Sequence, residues 1–198
     1  KEKFEYLLVA NNIPSRFTIK RITKNPLPNN ESQFDHYFMK RYSLPSFDWL
    51  KNFLSQQQLV LIGIRSIDPE ERVLMKSWGA HVFSMTDIDR YGIGGVMDQA
   101  LSILFKDGER PLHLSYDIDS IDPHFAPSTG TRVRGGLGYR EAHFIAERLA
   151  ETNALVGMDL VEINPRLGYV DPLHREEKNI TVEIGIELIA SALGKKIY

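Results

Sequence analysis

The sequence predicts an α/β fold, a three-layer sandwich whose central sheet is mostly parallel. Apolar runs of strand length alternate along the chain with segments whose apolar residues recur at helical spacing. Strands that alternate with helices form parallel sheets, and such sheets are covered by helices on both faces. With 198 residues and 42% hydrophobic content, the chain can form a real core. We therefore expect residues 1–198 to form one α/β domain, or part of a larger one.

The amino-terminal part supplies one strand and one helix around a long polar segment. Residues 4–10 are an apolar run and predict a buried strand. Residues 11–30 are polar and contain three prolines, so they predict a loop. A short helix is predicted over 33–42, with Ser32 suited to cap its amino end.

Four further strands follow, and each is a short run rich in apolar residues. They are predicted near residues 58–64, 81–84, 111–118 and 155–163. Sites in parallel α/β folds lie at the carboxyl ends of the strands. Several of these predicted ends carry acidic residues, namely Asp68, Asp117, Asp119 and Glu162.

Four further helices lie between and after these strands, because apolar residues there recur three and four positions apart. They are predicted over 70–78, 94–105, 139–151 and 174–193. The apolar face of the helix over 94–105 consists of Val96, Ala100, Ile103 and Leu104. The corresponding face of the helix over 139–151 consists of Ala142, Ile145, Ala146 and Leu149.

Composition excludes several classes of function. The net charge of −2 and the pI near 6.3 give no basic field, so nucleic acid is not an expected partner. The chain has no cysteine, which excludes disulfides, thiol catalysis and cysteine zinc sites. No apolar run approaches the roughly 20 residues of a membrane span, and the amino end lacks a signal-peptide core. We expect a cytoplasmic protein with no membrane partner.

The segment S-Y-D-I-D-S-I-D-P, residues 115–123, carries the strongest chemical signal. Side chains alternate between the faces of a strand, so Ser115, Asp117 and Asp119 are predicted to point the same way. His113 is assigned to the opposite face, as a core histidine. Two carboxylates together at the end of a buried strand repel each other, and a hard cation such as Mg, Ca or Mn relieves the repulsion. A bare D-x-D more often caps a turn, so that alternative stays open at this point.

Several long motifs, in a fixed order, resemble those of the arginase family. They are I-G-I-R-S-I-D-P from Ile62, F-S-M-T-D-I-D-R from Phe83, S-Y-D-I-D-S-I-D-P from Ser115, S-T-G-T from Ser128, G-G-L-G-Y-R-E from Gly135 and M-D-L-V-E-I-N-P from Met158. The resemblance is to the C-terminal half of an arginase and runs from about Leu44 to about Gly168, whereas residues 1–43 match poorly. It implies the sandwich of the arginase/deacetylase-like proteins, here incomplete.

This resemblance implies an enzyme that hydrolyses L-arginine, or a related guanidino compound, at a binuclear manganese site. The metals activate a bridging hydroxide, and the products from arginine are L-ornithine and urea. On the family pattern Asp117 is a bridging metal ligand and Asp119 a chelating one, which now outweighs the turn cap. Glu162 matches the glutamate that pairs with the substrate guanidinium through two parallel hydrogen bonds. A cap at the strand exit is the alternative for Glu162.

Three further residues receive roles from the same resemblance. Thr131 matches a threonine that lines the cleft beside the nucleophile, and ordinary turn chemistry is an equally good alternative. Asp68 matches the acid that receives the substrate α-amino group, although Ser66 stands where the family has a second acid. Glu71 is a candidate at the same edge, but an acid in the first turn of a helix also has a structural reason.

The resemblance also implies a homotrimer. Arg140 and Glu141 match a pair that bridges subunits in the family, with a solvated pair at a helix start as the alternative interpretation.

The chain departs from the family pattern in its metal ligands. It contains neither of the two motifs that complete the cluster, G-G-D-H and D-x-H-x-D. Residues 7–14 fall where the second motif is expected, but they hold asparagine and apolar residues. Residues 20–30 have no histidine for proton transfer, and His36 is the nearest candidate. We therefore expect this chain to bind manganese weakly or not at all.

Two hypotheses follow from the agreement and the departures together. In the first, the chain is a fragment or incomplete copy of an arginase, and we expect a further segment before Lys1. In the second, it is a non-catalytic arginase-like protein that acts as a binding or regulatory subunit. A G-G-D-H stretch upstream of Lys1 would favour the enzyme.

Overall fold

A computed structural model describes residues 5–9, 58–67, 69, 72–73, 79, 81–167, 169–170 and 177–197 of the chain. The predicted loop over 11–30, the predicted helix over 33–42 and His36 lie outside these residues. Of the predicted helix over 70–78, only Arg72 and Val73 are described, and both are helical.

A parallel sheet of five strands confirms the α/β prediction. The strands are β1 (Glu5–Val9), β2 (Leu59–Ile64), β3 (His81–Ser84), β4 (Leu112–Asp117) and β5 (Leu155–Val161). Their order across the sheet is β3-β2-β1-β4-β5, and every described pair is parallel. β1 is the central strand, with Leu7 opposite Val60 on one side and Leu114 on the other.

The order of the strands places a crevice at one point of the sheet edge. From β1 the chain adds β2 and β3 on one side, whereas β4 and β5 are added on the other side. Ligands of open α/β sheets bind where the direction of winding reverses, outside the carboxyl ends of the strands. Here that point lies between β1 and β4, and Asp117 is the last residue of β4.

Three described helices pack on this sheet and on one another. They are α1 (Met85–Leu104), α2 (Tyr139–Glu151) and α3 (Ile180–Ala192). The faces predicted to be apolar are largely buried, since Val96, Ala100 and Leu104 of α1 are in the core. All four predicted residues of the α2 face are also buried: Ala142, Ile145, Ala146 and Leu149. No helix in the described part of the chain is both long and apolar enough to cross a membrane.

Helix α1 begins nine residues before the predicted start at residue 94, because Ser84 forms a capping box with Asp87. The Ser84 side chain caps the Asp87 amide, and the Asp87 carboxylate accepts the Ser84 N–H at 2.7 Å. The backbone then breaks at Gly92, whose φ of 68° lies in the left-handed region. This break conceals the helical periodicity of the segment before residue 94.

The last helix also differs from its prediction, because it begins at Ile180 instead of residue 174. The Asn179 side chain caps it by accepting the N–H groups of Thr181 and Val182. Residues 177–178, predicted to be helical, form strand β7 and pair with β6 (Tyr169–Val170) in a small antiparallel sheet. Strand β5 ends at Val161, two residues before its predicted end.

Candidate active site

The paired aspartates lie at the end of β4, in a turn and not on a continuous strand. β4 ends at Asp117, and residues Ile118–Ser120 form a short 3-10 helix. The Asp119 N–H donates to Asp117 Oδ1 at 3.0 Å, so the Asp117 carboxylate starts this turn. The prediction that Asp119 extends the strand is therefore wrong. The turn nevertheless keeps the pair together, with both residues at most 5% exposed.

The electrostatics of this pair favour a bound cation. The pKa of Asp117 is raised to about 8, mainly by burial, next by the neighbouring Asp119 carboxylate and to a smaller extent by the charge of Glu162. A hard divalent cation would remove this penalty, because carboxylate oxygens are its preferred ligands. The described residues contain no group of three or more His, Cys, Asp or Glu side chains that could hold a metal ion. The pair therefore fits one weakly held cation and does not by itself make a two-ion cluster.

Glu162 follows β5 and belongs to the same edge of the sheet. Its φ of 67° places a non-glycine residue in the left-handed region, and this ends the strand. The side chain is exposed, yet its charge contributes to the raised pKa of Asp117. Such backbone conformations persist where the surrounding structure fixes them, and they are frequent at functional sites.

Two asparagines fix the backbone after Glu162. The Asn164 N–H donates to the Ser128 carbonyl at 2.9 Å, and its side-chain oxygen accepts the Arg166 N–H at 3.1 Å. The Asn179 side chain donates to the carbonyl of Pro165 at 3.0 Å while it caps α3. The exit of β5 is thus attached both to the S-T-G-T loop and to the start of α3.

The S-T-G-T loop is half inside the protein and half at its surface. Ser128 and Thr129 are buried, and the Ser128 N–H donates to Thr181 Oγ1 at 2.9 Å. Gly130 and Thr131 are exposed. The structure therefore makes Thr131 accessible, and its place beside a nucleophile stays a prediction.

Asp122 organises the rest of this loop, a role that the sequence did not predict. Its carboxylate accepts the backbone N–H groups of His124 at 2.9 Å, Gly135 at 2.7 Å and Gly136 at 3.2 Å. The hydrogen bond from His124 is the main reason that the pKa of Asp122 lies below its ordinary value. The motif D-P followed by G-G was visible in the sequence, but the contact joins residues thirteen positions apart.

Arg65, just after β2, is the second residue missed by sequence reasoning. Its guanidinium donates to backbone carbonyls of Asp119, Ser120 and Val133 at distances between 2.6 and 3.2 Å. The motif I-G-I-R-S-I-D-P contains it, and motif membership was the only available signal.

The prediction for His113 is wrong. Residues 113 and 115 share a strand face, and the structure joins them through Asp159 of β5. His113 Nε2 lies 2.8 Å from Asp159 Oδ2, and Ser115 Oγ donates to Asp159 Oδ1 at 2.5 Å. The His113 side chain is 33% exposed, so it is not a core histidine.

The remaining predicted residues have other partners within the chain or lie outside the described residues. Asp68 and Glu71 are not among the described residues. Arg140 forms hydrogen bonds with Glu147 at 3.1 and 3.3 Å, and Glu141 accepts the Gly138 N–H at 2.7 Å. Both therefore have partners within the chain, and their intersubunit role stays a prediction.

Comparisons with known proteins agree with the residue-level interpretation. The model of the Arginase family matches residues 24–194. The chain is 46% identical to the arginase of Glaciozyma antarctica over 154 residues. These aligned residues cover 78% of this chain and 43% of that protein. Human arginase-2, mitochondrial, is 44% identical over 152 residues, which cover 77% of this chain and 42% of that protein. The chain thus spans less than half the length of these relatives.

Solved structures give the same result for the fold. Arginase from Bacillus caldovelox superposes with a TM-score of 0.76 at 27% identity, over 100% of this chain and 62% of that one. A cold-adapted arginase from Glaciozyma antarctica has a TM-score of 0.67 at 32% identity, over 98% and 62% of the two chains. These matches confirm the α/β sandwich. Together with the ordered motifs and the family match over most of its length, they show that the chain belongs to the arginase family of ureohydrolases.

Proposed function

We propose that this chain is part of an arginase-type ureohydrolase that hydrolyses L-arginine to L-ornithine and urea with manganese. One observation carries the proposal: two buried, adjacent carboxylates lie at the end of β4, where the winding of the sheet reverses, and an exposed glutamate follows β5 at the same edge of the sheet. A cation and a guanidinium are the two groups that such carboxylates bind best.

Asp117 and Asp119 are the residues that would hold the cation. Manganese suits them because it is a divalent ion that carboxylate oxygens bind well. When bound, the metal supplies water whose pKa is low enough for attack near neutral pH. The protein's own contribution is to keep both carboxylates buried and adjacent, which the hydrogen bond from the Asp119 N–H to Asp117 does.

Glu162 is proposed to orient the substrate. A planar guanidinium and a carboxylate form two parallel hydrogen bonds, which fix direction as well as distance. The exposed Glu162 side chain is open to a ligand. The hydrogen bonds of Asn164 and Asn179 fix the backbone that follows Glu162. Asp68 and Glu71 are proposed for the substrate α-amino end and Thr131 for the wall of the cleft.

A non-catalytic arginase-like protein is the second candidate. It is favoured by the lack of a third metal ligand near the pair among the described residues. In both cases we propose a homotrimer through Arg140 and Glu141. A cytoplasmic location stays a prediction from the sequence alone.

Calorimetric titration of the chain with L-arginine tests the guanidinium role. We expect weak binding that Glu162→Gln abolishes, because the amide has one acceptor oxygen and no charge and so cannot form the two parallel hydrogen bonds with the guanidinium. Glu183→Gln is the matched control, since Glu183 is also an exposed glutamate and lies in the first turn of α3. Equal binding by Glu162→Gln and wild type would contradict the proposed role.

A further inference from the structure

We infer that Arg65 is a positioning residue of the cation site, which holds the main chain of Asp119 and Ser120 so that the Asp119 carboxylate stays beside that of Asp117. This inference rests on the proposed function in one respect, namely that the aspartate pair binds a cation.

The contacts of Arg65 are directed at the turn that carries Asp119. Nη2 donates to the carbonyl of Asp119 at 2.9 Å, and Nη1 donates to the carbonyl of Ser120 at 2.9 Å. Arg65 therefore donates to the main chain of Asp119 and not to its carboxylate. A hydrogen bond from an arginine to the carboxylate itself would compete with a cation for the same oxygens.

The same guanidinium ties this turn to two other segments. Nε and Nη2 donate to the carbonyl of Val133 at 3.2 and 2.6 Å, and Nη1 reaches the carbonyl of Gly63 in β2 at 3.5 Å. The planar fork of arginine makes all these contacts at once, and the ammonium of lysine cannot. The carboxylates of Asp119, Asp122 and Asp117 also attract the positive charge of the partly buried Arg65 guanidinium.

The structure leaves space for this arrangement at Gly136. A Cβ there would lie 2.7 Å from Arg65 Nη2 and 2.7 Å from the Ser120 carbonyl oxygen. The loop has its own restraints besides Arg65, because Leu137 donates to the Ser120 carbonyl and Asp122 donates to the Leu137 carbonyl. Loss of Arg65 therefore removes the hydrogen bond to the Asp119 carbonyl, whereas the hydrogen bonds of Leu137 with Ser120 and Asp122 still join the loop to the turn.

Three variants test the inference. Arg65→Met removes the guanidinium, and Arg65→Lys keeps the positive charge without the planar set of N–H donors. The control, Arg148→Met, removes a surface arginine that pairs with Asp98 and Glu151. Manganese affinity is measured by electron paramagnetic resonance of free Mn²⁺. We expect both Arg65 variants to lose about tenfold or more in affinity, as when a residue that orients a metal ligand is removed. Arg148→Met should match wild type.

Backbone amide hydrogen exchange provides the second measurement. We expect faster exchange at Asp119 in both Arg65 variants, with the amide of Ile145 inside α2 unchanged. Exchange that rises equally at both amides would overturn the inference, because it would show a general loss of stability. If Arg65→Met does not fold, Arg65→Lys decides.

The outcomes separate this inference from the proposed function. A chain that binds Mn²⁺ but does not bind L-arginine contradicts the arginase proposal. In that case the Mn²⁺ affinities of wild type and the Arg65 variants still test the role of Arg65. Unchanged Mn²⁺ affinity in the Arg65 variants overturns the inference. The inference is also overturned if wild type binds no Mn²⁺ at concentrations up to roughly 10 mM, which exceed the dissociation constants of weak biological cation sites.

Discussion

Glu162 has a backbone conformation that opposes stability, which leads to a prediction for a single residue. A left-handed conformation costs a non-glycine residue about 1–2 kcal/mol in the folded state. Glycine would remove this strain, but its larger unfolded-state entropy would destabilise the folded state by about 0.5–1 kcal/mol. We expect Glu162→Gly to leave the free energy of unfolding unchanged or to raise it by up to about 1.5 kcal/mol.

The matched control is Glu183→Gly in the first turn of α3, which should lose about 1 kcal/mol because glycine is a poor helix residue. Urea denaturation of the two variants and wild type gives the comparison. A loss at Glu162 as large as that at Glu183 would show that its backbone is not strained.

Gly136 gives a second prediction at this scale. A Cβ there would lie 2.6 Å from the Asp122 backbone nitrogen, and backbone atoms cannot move aside as a side-chain end can. We expect Gly136→Ala to lose about 1–3 kcal/mol of stability. Gly130→Ala is the control, because nothing lies within 4 Å of the added Cβ. Equal thermal unfolding midpoints would contradict this account.

The site residues divide by how they act. The positions of Asp117, Asp119 and Glu162 at one edge of the sheet were predictable because each follows an apolar run of strand length, and their roles stay predictions. Arg65 and Asp122 were not predictable, because they act on backbone atoms of residues that are distant in sequence. Only the folded loop brings those atoms together. Asp159 was missed for the same reason, since its partners His113 and Ser115 belong to the neighbouring strand.

Among the elements, the contact between α2 and α3 contains a buried titratable group. His143 is fully buried, with Nδ1 2.9 Å from Ser191 Oγ and Nε2 3.9 Å from the Glu187 carboxylate. Burial lowers its pKa, which Glu187 and Glu147 oppose, while Arg140 and Lys195 lower it further.

This contact predicts how stability depends on pH. Because the folded pKa of His143 is lowered, the unfolded state binds more protons, so stability falls as the pH drops through the ordinary histidine pKa. We expect His143→Gln to weaken this fall, measured as the change in free energy of unfolding between about pH 7.5 and about pH 5.5. An identical pH dependence in the variant would exclude His143 as its source.

The positions of the elements were predictable, and several of their boundaries were not. The four strands from β2 to β5 and helix α2 follow from apolar runs and spacing. The early start of α1 depends on the Ser84–Asp87 capping box and on the break at Gly92. The late start of α3 depends on Asn179, because a side-chain cap outweighed the helical pattern predicted before it.

For the molecule as a whole, we expect no measurable urea from L-arginine with added manganese. The 198 residues contain neither further metal-binding motif, so the metal pair that would generate hydroxide near neutral pH is incomplete. A colorimetric urea assay of wild type against Asp117→Asn tests this. Urea release above that variant would show a rearranged but competent site.

The central position of β1 has a consequence for how the chain reaches its folded state. Tyr6 pairs with Leu59 and Glu5 with Leu112, so the middle strand has neighbours about 50 and about 100 residues further along the chain. Closing such long loops costs entropy before any pairing is gained, which makes folding slow. During synthesis β1 leaves the ribosome long before β4 does. The crevice between these two strands, and the aspartates beside it, can therefore form only late in folding.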